Sequence, residues 1–166
     1  MKRITLLIFT ITMMMACTGG TYKSTSDGVV VNVQNRQKNG PAKVRLQVMS
    51  DGIVRVSQTP DKKFHDRNSL IILPDAQKET DFEVVESEAS VGIKTSELYV
   101  TVNKTDGVVT FMDTKGNVIS KESEPTSFAP ISVTDTKGTT TGYTTINRFN
   151  TVPEEGLFGL GQHQSD

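Results

Sequence analysis

Lys43-Val44-Arg45-Leu46-Gln47-Val48-Met49-Ser50-Asp51-Gly52-Ile53-Val54-Arg55-Val56-Ser57-Gln58 is the stretch on which the fold turns. Polar and apolar residues alternate with a period of two. In an extended strand successive side chains point to opposite faces, so Val44, Leu46 and Val48 share one face and Lys43, Arg45 and Gln47 the other. That is a strand with one face buried and one in water. Asp51-Gly52 follows, a pair that tolerates the backbone of a tight hairpin turn. Ile53 to Gln58 then returns antiparallel, and Thr59-Pro60-Asp61-Lys62-Lys63 ends the pair.

The same grammar extends both ways. Val29 to Val33 is a strand, broken by Asn39-Gly40-Pro41. Ser69 to Leu73 is a short apolar strand ended by Pro74. Phe82 to Glu86, Ser90 to Lys94 and Leu98 to Val102 are three more. Asp106-Gly107 signals a second hairpin with Val108 to Met112 as its return, and Asp113-Thr114-Lys115-Gly116 turns the chain into Val118-Ile119. Glu122 to Pro130, with two prolines, reads as a loop before strands at Ile131 to Thr134 and Gly142 to Phe149. No segment has the apolar spacing of an amphipathic helix. Short strands with turn signals about every 8–12 residues specify an all-β, antiparallel β-sandwich.

The first residues read as an address. Lys2 and Arg3 precede an apolar run, Ile4 to Met15, too short to span a bilayer as a helix. Ala16-Cys17 then resembles the cleavage site of a bacterial lipoprotein. Residues 1–16 are expected to be a cleaved signal peptide, Cys17 the lipid attachment site, 17–27 a flexible Gly/Ser/Thr-rich tether and 28–166 the sandwich domain. A lipid-anchored location in the bacterial cell envelope follows, at the outer membrane's periplasmic face or the cell surface. Cys17 is the only cysteine, so an intramolecular disulfide is excluded. With 35% hydrophobic residues the chain of 166 has material for one core. A net charge of -1 gives no footprint for nucleic acid.

One stretch does not fit plain β-structure: Gly156-Leu157-Phe158-Gly159-Leu160-Gly161-Gln162-His163-Gln164. Glycine loses the most backbone freedom on folding, so a Gly-rich apolar run implies close approach of another backbone, ring or ligand. Phe158 to Gln162 resembles an aromatic-Gly-Leu-Gly-Glu/Gln motif of glycoside hydrolase family 31, and the Gln-His-Gln continuation looks like its α-xylosidase branch. Leu157 departs from the second aromatic found there in many members. Val44 to Phe64 and Thr105 to Gly116 are similar to two further segments of that family's N-terminal sandwich, which has galactose-mutarotase-like character.

The resemblance implies a retaining hydrolase of α-linked xylose- or glucose-containing oligosaccharides, working without a cofactor. Its two catalytic carboxylates would lie on a (β/α)8 barrel that this sequence does not contain. No catalytic residue is therefore assigned. Gln162 and His163 are expected to support the substrate pocket or brace the barrel interface. Glu122/Glu124 and Glu154-Glu155 read as solvated loop charge. His65 and His163, far apart and without cysteine partners, make no metal site. His65 is expected to be exposed. Tyr99 and Tyr143 are the available sugar platforms, though packing at the core or rim accounts for both. The alternative function is a stand-alone carbohydrate-binding or structural envelope lipoprotein.

Overall fold

The computed structural model describes residues 20–65 and 79–155. Within them the chain is all β. Sheet A is a four-stranded meander of β1 (Tyr22–Thr25), β2 (Gly28–Asn32), β3 (Lys43–Ser50) and β4 (Ile53–Thr59). Sheet B is a five-stranded meander of β5 (Glu83–Glu86), β6 (Ser90–Lys94), β7 (Leu98–Asn103), β8 (Val109–Asp113) and β9 (Val118–Lys121). A two-stranded ribbon, β10 (Ser127–Asp135) and β11 (Gly138–Ile146), completes the described part. All pairings are antiparallel.

The two sheets bury their apolar faces against each other. Val29, Val31, Val44, Leu46 and Val48 from sheet A meet Val91, Ile93, Val100, Val102 and Val109 from sheet B. These are the inward residues of the alternating pattern. The register confirms it: Tyr22, Val31, Val44 and Gln58 form one cross-strand row, as do Ser24, Val29, Leu46 and Val56. Each fully buried Val or Leu contributes about 1.5–3 kcal/mol by leaving water. The Asp51-Gly52 and Asp106-Gly107 turns lie where the sequence places them. Gly107 takes φ +84°, a conformation that suits glycine.

Three expectations are corrected. The 17–27 tether does not run free to Asp27, because Tyr22–Thr25 pairs with β2 along its whole length. Tyr22 packs on the core beside Glu86 of the opposite sheet, which raises the pKa of its hydroxyl. The Ser/Thr-rich composition suggests a spacer, yet strand pairing uses backbone groups that any of these residues supplies. The loop Glu122 to Pro130 is shorter than read, since β10 starts at Ser127 and runs through Pro130. Pro130 is tolerated because a two-stranded ribbon has free edges, where a missing N–H breaks no ladder. The ribbon's turn falls at Thr136-Lys137, with Asp135 opposite Gly138, so β11 begins earlier than Gly142. The strand expected at Ser69 to Leu73 lies outside the described residues.

Candidate functional site

A concavity opens at the end of the sandwich where the ribbon joins it. It is a cleft of about 280 Å³, walled by Val56, Phe111, Phe128 and Phe149, with Gln58 and Glu122 at its polar side. Its construction follows from strand parity. Val109 faces inward opposite Val102. Thr110 pairs with Lys121, so the next residue, Glu122, comes opposite Val109 and inherits the inward direction. Glu122 N–H donates to the Val109 carbonyl at 3.0 Å, and an antiparallel bridge to Phe149 holds its other side.

Glu122 is 2% exposed, which corrects its reading as solvated charge. Its Oε2 accepts from the Val109 backbone N–H at 2.8 Å. Its Oε1 accepts from Gln58 Nε2 at 2.8 Å and Thr126 Oγ1 at 3.3 Å. The side chain thus ties β4 of sheet A to β8 of sheet B and to the strand entering the ribbon. Burial pushes its carboxyl above the usual carboxylate range, and the hydrogen bonds from Val109, Gln58, Asn147 and Thr126 oppose that shift. Glu124 differs from it: the side chain is half-exposed and ion-paired to Arg148. Glu154 and Glu155 are exposed, as the sequence implies.

One buried carboxylate does not make a glycosidase. Retention requires a second carboxyl about 5–5.5 Å away, and among the described residues Glu122 is the one buried carboxylate. Nor do the described residues gather three metal-ligating side chains. His65 is exposed and lies 3.6 Å from Asp61, without further ligands. No described helix is long and apolar enough to cross a membrane. What the cleft offers is an apolar, aromatic-walled socket with one buried hydrogen-bonding corner.

Apolar side chains beyond the socket are exposed, and Ile131, Val133 and Ile146 share one face of the ribbon, opposite to that of Phe128. Phe149 is 48% exposed and Val133 56%, and Ile131, Ile146 and Val152 are also open to solvent. Tyr143 stands edge-on to Phe128 with ring centroids 6.2 Å apart, and its hydroxyl lies 3.5 Å from Asp61. Its ring is therefore part of the rim rather than a free sugar platform. Tyr99 is half-buried in β7. Exposed apolar side chains gathered on one ribbon face mark a place where another body packs.

The comparisons with known proteins decide what kind of sandwich this is. The model of the glycosyl hydrolase 31 N-terminal galactose mutarotase-like domain matches residues 43–166. The chain belongs to that family. The GH31 α-xylosidase of Xanthomonas citri superposes with a TM-score of 0.70 at 34% sequence identity, covering 86% of this chain and 15% of that one. A GH31 α-xylosidase from a soil metagenome, complexed with xylose, superposes with a TM-score of 0.62 at 22% identity, covering 88% of this chain and 23% of that one. The second shares the fold. The chain thus spans less than a quarter of either enzyme.

Gln162, His163 and Cys17, the residues singled out in the sequence, lie outside the described part. Within it, sequence reasoning passed over Glu122. Counting inward positions from Val109 through the β8–β9 register would have found it, but a Glu between Lys121 and Ser123 reads as a surface residue.

Proposed function

We propose that this chain is the N-terminal sandwich of an α-xylosidase- or α-glucosidase-type enzyme acting on α-linked oligosaccharides, and that it supports a substrate pocket whose catalytic groups lie on a separate barrel. The observation that carries the reading is the exposed apolar face of the ribbon, formed by Ile131, Val133 and Ile146, in a chain of this family. Apolar side chains exposed together on one face are unfavourable in water and suited to the flank of a second domain. Gln162 and His163 follow the described residues closely and would reach the pocket as hydrogen-bonding supports. Cys17 would hold the protein to the bacterial envelope through its lipid, each buried methylene contributing about 0.8 kcal/mol.

The test is catalytic and binding at once. Purified residues 17–166 are titrated calorimetrically with xylose, glucose and xyloglucan oligosaccharides and assayed on an aryl α-xyloside. The expected result is neither turnover nor saturable binding by a folded sample. In a chain carrying the catalytic barrel, His163→Ala is expected to raise KM for the α-xyloside more than it lowers kcat. Saturable binding of a neutral sugar by the isolated sandwich would favour the stand-alone binding module instead. For the anchor, Cys17→Ser should abolish partition into the detergent phase.

A further inference from the structure

The ribbon holds a glycine that its own fold does not require. Gly142 stands in the middle of β11, where glycine weakens a strand relative to alanine. A positive φ or a crowded Cβ would explain it, and neither is present. Its φ is not positive, unlike that of Gly28, Gly107, Gly116 and Gly138. Nor is there crowding. A Cβ at Gly92 would come within 2.5 Å of the Val100 carbonyl oxygen, but at Gly142 it would meet no described atom within 4 Å. Gly142 is exposed, so the space above it is open. A strand glycine of this kind marks a site where another body approaches the backbone closely.

The register shows what the missing side chain leaves. Gly142 lies directly opposite Ile131, and Thr140 and Thr144, two residues away along β11, share its face. Thr140 and Thr144 are about 13 Å apart along the strand. The bare Gly142 backbone therefore floors a notch one large side chain wide, with Ile131 as its apolar wall. Val133, opposite Thr140, and Ile146 extend the apolar face and are 56% and 39% exposed. β11 is exposed at all nine positions, so a partner reaches the notch without displacing any part of the sandwich.

We infer that a bulky apolar side chain of the catalytic barrel seats on the Gly142 backbone, between Thr140 and Thr144 and against Ile131, and locks the ribbon to that domain. The inference rests on the domain-flank reading above and adds the position and chemistry of the contact. A second copy of this chain fits less well. Two ribbons stacked face to face, each about 30 Å by 10 Å, would bury about 600 Å² in all, below the roughly 1,000 Å² of a stable interface. The solved enzymes that superpose on this sandwich extend far beyond it, the matched part being 15% and 23% of their chains. A covering domain in the same molecule makes so small a contact sufficient, because no association step opposes it.

The experiment compares the melting of two molecules: isolated 17–166, and the same residues joined to the barrel of the Xanthomonas citri enzyme in place of its own sandwich. With the native sequence, the sandwich transition is expected to lie higher in the joined chain. Gly142→Val should leave isolated 17–166 melting at or above the wild-type temperature, since valine suits a strand better than glycine. In the joined chain it should lower the sandwich transition by at least about 2–4 °C, and Gly142→Ala should lower it less. Thr141→Val, on the opposite face, should shift both molecules alike. A sandwich transition that the barrel does not raise would overturn the flank reading and this inference together. A raised transition that Gly142→Val leaves in place, or an equal fall in both molecules, would overturn the inference alone. Dimerisation of isolated 17–166 that Gly142→Val abolishes would assign the notch to a second copy and overturn it as well.

Discussion

Glu122 carries the sharpest consequences at the scale of single residues. Its folded pKa is raised by burial, so the folded state holds its proton to higher pH than the unfolded chain does. The stability this gives is fully present below the unfolded carboxylate value and is lost as pH rises through that value toward the folded one. Glu86 has the opposite sign: Lys104 lowers its pKa, and its contribution is lost as pH falls. Thermal melts of wild type from pH 4 to 8 should therefore decline relative to Glu122→Gln, which removes the raised group. Glu122→Ala should cost about 1–3 kcal/mol below the unfolded carboxylate range, and less as pH rises, because the Val109 N–H is left buried without a partner. A second residue-scale prediction concerns Gly28. A Cβ there would sit 2.0 Å from the Leu46 carbonyl oxygen, a backbone atom fixed in the β2–β3 ladder. Gly28→Ala should lose upward of about 2 kcal/mol in chemical denaturation, and a change under about 0.5 kcal/mol would show that the strands separate there at no penalty.

At the scale of elements, β1 and the ribbon are the informative pieces. Lys104 Nζ donates to Glu86 Oε1 at 2.6 Å and to the Ser87 carbonyl at 2.7 Å, and Tyr22 packs on the shared core beside that Glu86, so β1 is held against sheet B as well as paired within sheet A. Amides of Lys23 and Thr25 should consequently show hydrogen-exchange protection well above that of a flexible linker, and a chain starting at Asp27 should melt lower. The ribbon, by contrast, exposes Ile131 and Val133 on a two-stranded element with free edges, a ready template for association. Ile131→Lys/Val133→Glu should reduce self-association of the isolated chain in sedimentation experiments without lowering its melting temperature. The ribbon also shows a signal that a sequence reading can use. Asp-Thr-Lys-Gly occurs at 113–116 and again at 135–138. Both times the Asp side chain accepts from the backbone N–H two residues on, at 2.8 and 2.7 Å, and the closing glycine takes a positive φ. The second copy locates the ribbon's turn as surely as the first locates that of β8–β9.

At the scale of the whole molecule, a well-formed core coexists with a large uncovered surface. The sheets are joined by a core of aliphatic residues and by two polar ties, Glu122 at one place and Tyr22–Glu86–Lys104 at another. The ribbon end, with Phe149 and Val152 exposed, lacks such cover. Isolated 17–166 should therefore fold and melt cooperatively yet bind a hydrophobic dye at the ribbon end, and addition of a catalytic barrel of the family lacking its own sandwich should suppress that dye signal. Dye binding unchanged by the barrel would argue that this surface has another partner.

By itself the sequence determined the class of fold, nearly every described strand and the family. Those rest on local alternation, on Asx-Gly turns and on motifs, all of which are properties of neighbouring residues. Tertiary structure alone decided two things. Tyr22–Thr25 is a strand because β2 and Glu86 stand beside it. Glu122 is buried because the β8–β9 register turns it inward onto Val109 and Gln58, although its sequence neighbours are polar. Each depends on partners distant in sequence, and burial and pairing are set by those partners rather than by the residue's own type.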